Sequence, residues 1–138
     1  MEHNILLQTL DKLRNLTSET EIVEFKEAKN NFDFSDLGEY FSALCNEANL
    51  KNKSFAWLVF GIEDKKHKVV GSNFRLSRKD LESLKKEIAD QTTNRITFIE
   101  IYEITDFPEG RVLMFQIPAA PKGIPVAIVV CKKSWQKP

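Results

Sequence analysis

The chain has 138 residues, 42% apolar and 29% charged, and its 20 Lys/Arg balance its 20 Asp/Glu. That length suits one domain with a proper core rather than two, residues 1–138 forming a single unit. No apolar run approaches the roughly 18 residues of a membrane span, and zero net charge is not the mark of a strongly basic nucleic-acid binder. Cys45 and Cys131 lie far apart with no CxxC or His companion. Reduced thiols are therefore expected rather than a disulfide or a zinc site. The first residues carry acids early, unlike a secretory signal, so a cytoplasmic protein is expected.

The charge is unevenly spread. Residues 1–50 hold four Lys/Arg against ten Asp/Glu, and residues 51–86 hold ten against four. An acidic first third followed by a basic middle either sets a basic face opposite an acidic site or is solvated surface throughout.

Residues 1–17 form an amphipathic helix with Leu6, Leu10, Leu13 and Leu16 at helical spacing, which either docks on the domain or serves as a homodimer handle. Glu21 to Lys26 alternates as a short strand, with Val23 and Phe25 on one face and Ile22, Glu24 and Lys26 on the other. Residues 27–34 read as a loop. A second helix starts near Ser35 or Asp36, because Asp36 and Glu39 have capping-box spacing. Leu37, Phe41, Leu44, Cys45 and Ala48 make its apolar stripe.

Phe55 to Ile62 is apolar except for Gly61, which reads as a strand buried on both faces. A polar turn at Glu63-Asp64-Lys65-Lys66 and a return through Val69-Val70-Gly71 read as a hairpin. Ser77 and Asp80 cap a third helix reaching about Gln91, with Leu81, Leu84 and Ile88 inward and Lys79, Lys85 and Lys86 outward. Arg95 to Ile104 and Val112 to Ile117 form a second hairpin across the Asp106–Gly110 turn. Val126 to Cys131 is a last strand. The order is α-β-α-β-β-α-β-β with a further β, an α+β fold with a mixed sheet and packed helices.

No GxGxxG or GxxxxGK[ST] is present, which excludes the common nucleotide-binding loops. His3 and His67 have no Ser or Cys nucleophile near them in sequence and read as surface histidines. Glu19, Glu21 and Glu24 gather at the first strand, and Asp64 leaves the core strand. If those strands pair, Glu24 and Asp64 converge. Three clustered carboxylates offer hard oxygen ligands to Mg or Mn, and such a metal can activate water for phosphodiester cleavage. Acids at strand edges are also commonly just solvated. Lys65, Lys66, Lys68, Arg75, Arg78 and Lys79 flank the hairpin, followed by Lys85 and Lys86. A strip of this kind neutralises phosphates with salt-dependent, mostly sequence-independent affinity for DNA or RNA.

An ordered set of short motifs runs through these elements: Glu19-Thr20-Glu21-Ile22-Val23-Glu24-Phe25-Lys26, Ala43 to Asn49, and Val59-Phe60-Gly61-Ile62-Glu63-Asp64 with Val69-Val70-Gly71. Over about residues 15–126 the set resembles the Schlafen/Alba-like DNA-binding domain. The resemblance implies the N-terminal part of a longer transcriptional regulator, this chain being either a fragment that lacks further C-terminal domains or a minimal member of the family. It also implies an alternative, a Schlafen-type endoribonuclease acting on structured RNA, with Glu19, Glu24 and Asp64 as metal-binding acids for Mg or Mn. Two departures stand out. Lys51-Asn52-Lys53-Ser54 replaces a Gly-Gly turn, and residues 127–138 form an atypical tail that reads as truncated or altered.

Overall fold

The computed structural model describes residues 1–15 and 21–127. Leu16, Glu19, most of the last expected strand and the tail lie outside the described residues. Among the described residues three helices, α1 (His3–Arg14), α2 (Phe34–Leu50) and α3 (Arg78–Gln91), accompany four strands. These are β1 (Val23–Lys26), β2 (Phe55–Phe60), β3 (Glu100–Ile104) and β4 (Val112–Pro118), in the sheet order β1-β2-β4-β3. β1 pairs with β2 in parallel, with Glu24 opposite Leu58. β4 is antiparallel to both β2 and β3. This is the expected α+β class with a mixed sheet.

β2 is buried on both faces because each face is covered by a different layer. Ala56, Leu58 and Phe60 join the stripes of α2 and α3, Leu113 and Phe115. Trp57 and Val59 point the other way, among Phe25, Met114 and the α1 leucines Leu6, Leu10 and Leu13. Burying each of those leucines is worth about 1.5–3 kcal/mol. Leu6, Leu10 and Leu13 of the expected stripe thus dock on the chain's own sheet. Cys45 sits in the α2 stripe, fully buried, and burial pushes its thiol up to about 12, where it is inert.

Three boundaries differ from the sequence expectation. The α2 cap is Asp33 rather than Asp36: it has extended backbone, and its carboxylate accepts the Asp36 N–H at 3.2 Å. The return expected at Val69-Val70-Gly71 is a single bridge from Ile62 to Val69, not a strand. β3 begins at Glu100 rather than Arg95, because Asn94 and Arg95 adopt φ of 62° and 52° in a 3-10 turn after α3. The Ser77 cap of α3 is as expected, its hydroxyl accepting the Asp80 N–H at 3.1 Å.

The loops are pinned at the end of the sheet where β2 leaves and β4 enters. Arg111, whose side chain is 9% exposed, pairs its Nε with Glu103 at 3.0 Å. Its terminal nitrogens donate to the carbonyls of Ser72, Phe74 and Arg75 at 3.2, 2.8 and 2.7 Å. Gly71 and Gly110 cross so closely that a Cβ on Gly71 would lie 2.8 Å from the Gly110 Cα.

Candidate functional site

Because β1 and β2 run parallel, the chain leaves both strands at the same end of the sheet. The Gly61 N–H donates to the Lys26 carbonyl at 2.9 Å, so the segment after β2 comes back beside the end of β1. Glu24 and Asp64 consequently line one open cleft of about 380 Å³, together with Glu21, Glu47 of α2 and His67. The Glu24 carboxyl is raised above the usual carboxylate range. Partial burial is the main cause, Lys26 opposes it, and the negative charges of Asp64 and Glu47 add to it. Lys26 Nζ lies 3.8 Å from the Glu24 carboxylate, and Glu47 pairs with Lys51 at 2.9 Å.

Among the described residues no three His, Cys, Asp or Glu side chains are grouped closely enough to hold a metal ion. Glu24 and Asp64 offer two carboxylates of the hard-oxygen kind that Mg and Mn take. Glu19, the third acid implied by the family pattern, lies outside the described residues.

The exit of β2 forms a hydrogen-bonded turn. The His67 N–H donates to the Glu63 carbonyl at 2.9 Å, and the Glu63 N–H to the Lys68 carbonyl at 2.8 Å. Lys65, Lys66 and Lys68 stand exposed on it. Among the described residues these three and Lys79 make no ion pair. The rest of the basic run is engaged. Arg75 forks onto both oxygens of Glu87 at 2.8 Å. Arg78 binds Glu82 at 2.6 Å and Glu100 at 3.1 Å and donates to the Ile101 carbonyl of edge strand β3 at 2.7 Å. Lys85 bridges Glu82 and Glu100, and Lys86 meets Asp90 at 3.0 Å.

His67, which the sequence reads as a surface histidine, belongs to the cleft. It is half-buried rather than a free surface group. Its ring lies 4.2 Å from that of Phe25, and its Nδ1 is 2.9 Å from the Arg14 carbonyl oxygen. A carbonyl only accepts, so Nδ1 carries the hydrogen. Nothing in the local sequence signals this, because the partner is a backbone group 53 positions away.

Among the described residues the chain combines a mixed β1-β2-β4-β3 sheet, one helix on the Trp57 face, two on the other, and an acidic cleft at the parallel pair. The Schlafen, AlbA_2 family model matches residues 19–136, and the chain belongs to that family. Among solved structures the chain is similar to the DIP2311 protein from Corynebacterium diphtheriae, with a TM-score of 0.58 at 16% identity. The match covers 91% of this chain and 24% of that one, so the chain spans about a quarter of that protein's length. At this identity the likeness is one of fold. No curated protein matches the chain.

Proposed function

We propose that this domain binds DNA or RNA without sequence preference, as the nucleic-acid-binding part of a transcriptional regulator. The observation that carries this reading is the contrast within the basic run. Lys65, Lys66 and Lys68 project from a hydrogen-bonded turn with no carboxylate partner among the described residues, whereas Arg75, Arg78, Lys85 and Lys86 are all ion-paired. Unpaired ammonium groups release counterions when they meet phosphate; groups already neutralised within the protein gain less. Lys79 extends the contact, while Arg75 and Arg78 hold the scaffold behind it. Family membership supports the same reading. The test is the triple variant Lys65→Glu, Lys66→Glu, Lys68→Glu on duplex DNA and RNA across a salt series. Affinity should fall at low salt, and the log–log salt slope should shrink by up to about 0.9 per lost phosphate contact. An unchanged slope and affinity would remove the proposal.

A second reading is favoured by the shared cleft of Glu24 and Asp64. With Glu19, these acids would hold Mg or Mn, and the metal would supply an activated water for phosphodiester hydrolysis. Lys26, beside Glu24, would steady the phosphate charge. This reading requires manganese-dependent RNA cleavage that disappears in Glu24→Ala. Binding without cleavage when manganese is supplied counts against it.

A further inference from the structure

A second cavity, of about 500 Å³, lies across Lys26 from the acidic cleft and is lined by Lys26, Phe32, Asp36, Glu39, Tyr40 and Ala43. Its aromatic wall is preorganised. The loop between β1 and α2 is tied down where the Ala28 carbonyl accepts the Ser72 hydroxyl and the Lys29 carbonyl accepts the Asn73 N–H, both at 2.6 Å. Phe32 at its end rests on Phe60 with ring centroids 4.8 Å apart, and its ring lies 6.1 Å from that of Tyr40. Both Phe32 and Tyr40 are only half-buried, so each keeps surface on the cavity. The Lys26 ammonium sits 4.7 Å over the Tyr40 ring and 3.8 Å from Glu24, joining the two recesses.

The rim carries the chemical discrimination. Asp36 and Glu39 are exposed carboxylates on the first turns of α2, and they repel a phosphate while accepting hydrogen bonds from an amine. A flat π-face against fixed aromatic rings, with its hydrogen-bond edge toward carboxylates and its phosphates toward lysine, describes an unpaired nucleotide entering base first.

We propose that the Phe32–Tyr40 cavity is a nucleobase subsite that takes an unpaired base bearing an exocyclic amine. The inference rests on the nucleic-acid reading above and adds to it a place where single strands are told from duplexes. Cytosine presents an amine where uracil presents a carbonyl oxygen in nearly the same shape. Asp36 and Glu39 accept from the first and repel the second.

The test is fluorescence anisotropy with labelled oligocytidine and oligouridine of roughly 12 nucleotides, a typical single-strand site length, alongside a duplex. The intact chain should bind oligocytidine more tightly than oligouridine by about fivefold or more. Tyr40→Ala should weaken single-strand binding by a similar factor and leave duplex binding unchanged. Ala43→Trp fills the cavity from an exposed helix position, so it should give the same loss even if Tyr40→Ala fails to fold. Asp36→Asn with Glu39→Gln should erase the cytidine preference. Equal affinity for the two oligomers in the intact chain, or unchanged single-strand binding by Ala43→Trp, overturns the subsite while the lysine reading survives through duplex binding. No binding to any of the three nucleic acids overturns both.

Discussion

Arg14 and His67 exchange hydrogen bonds, the Arg14 Nε–H donating to the His67 carbonyl at 2.8 Å and the His67 Nδ1–H to the Arg14 carbonyl at 2.9 Å. The last turn of α1 is thereby fastened to the turn that carries Lys65, Lys66 and Lys68. His67 pays for this with φ of 57°, a left-handed conformation costing a non-glycine residue about 1 kcal/mol or more. His67→Ala keeps that strain and loses the ring contacts, so it should destabilise by about 1–2 kcal/mol. His67→Gly should cost less because the backbone strain is relieved. In urea unfolding, Arg14→Ala and His67→Ala each remove one of the two bonds and leave the other's backbone acceptor in place, so their losses should add within about 0.5 kcal/mol when combined. A combined loss well short of the sum would show that removing either side chain already parts α1 from the turn.

Arg111 offers a sharper stability test. Its guanidinium holds three backbone carbonyls and Glu103 while almost buried. Arg111→Met fills much of the space but leaves those acceptors unpaired, and should cost about 2–4 kcal/mol. Thermal unfolding would read this directly, and a loss under about 0.5 kcal/mol, the range of ordinary surface substitutions, would mean that the loop does not depend on the residue.

Glu24 carries a pH signature whose sign follows from its raised carboxyl. Between its ordinary value of 4.5 and its higher native value, the folded chain binds more protons than the unfolded one, so this group's contribution to stability falls as pH rises. Glu24→Gln removes the penalty. The variant should be more stable than the parent at pH 7 by less than about 1 kcal/mol, and the advantage should vanish as pH drops to about 4.5 and below, where both side chains are neutral. A variant less stable than the parent at neutral pH would contradict this electrostatic account.

At the crossing of Gly71 and Gly110, both with positive φ (84° and 142°), an added Cβ on either would sit within 2.8 Å of the other's Cα. Gly71→Ala meets backbone on one side and a left-handed conformation on the other, and neither yields without moving a loop. A loss of more than about 2 kcal/mol is expected from chemical denaturation. A near-neutral result would mean that the loops part freely.

Much of the frame was readable from residue spacing. The apolar stripes of α2 and α3 fall as their periodicity requires, and the run from Phe55 to Phe60 is buried on both faces because two helical layers cover it. Boundaries were harder. Asp33 and Asp36 both satisfy the cap pattern, and only backbone geometry chooses the first. The hairpin after β2 narrows to the Ile62–Val69 bridge and the bonds from Glu63 to His67 and Lys68 that close its turn, so it adds no strand to the sheet. In the site, residue type showed where charge accumulates but not who neutralises it: Arg75 and Lys65 look alike in sequence, yet one is locked to Glu87 and the other is exposed. The roles of Arg111 and His67 were illegible because their partners are carbonyls, which every residue carries.

Lys26 makes the two recesses answer to each other. Its single ammonium is shared between the Glu24 carboxylate and the face of Tyr40. A cation entering the acidic cleft would loosen its hold on Glu24, and a base on Tyr40 would compete for the ring. Whatever coupling results must be reciprocal, each occupant changing the other's affinity by one common factor. Lys26→Met, which keeps the stem and deletes the charge, would leave two sites that no longer sense one another.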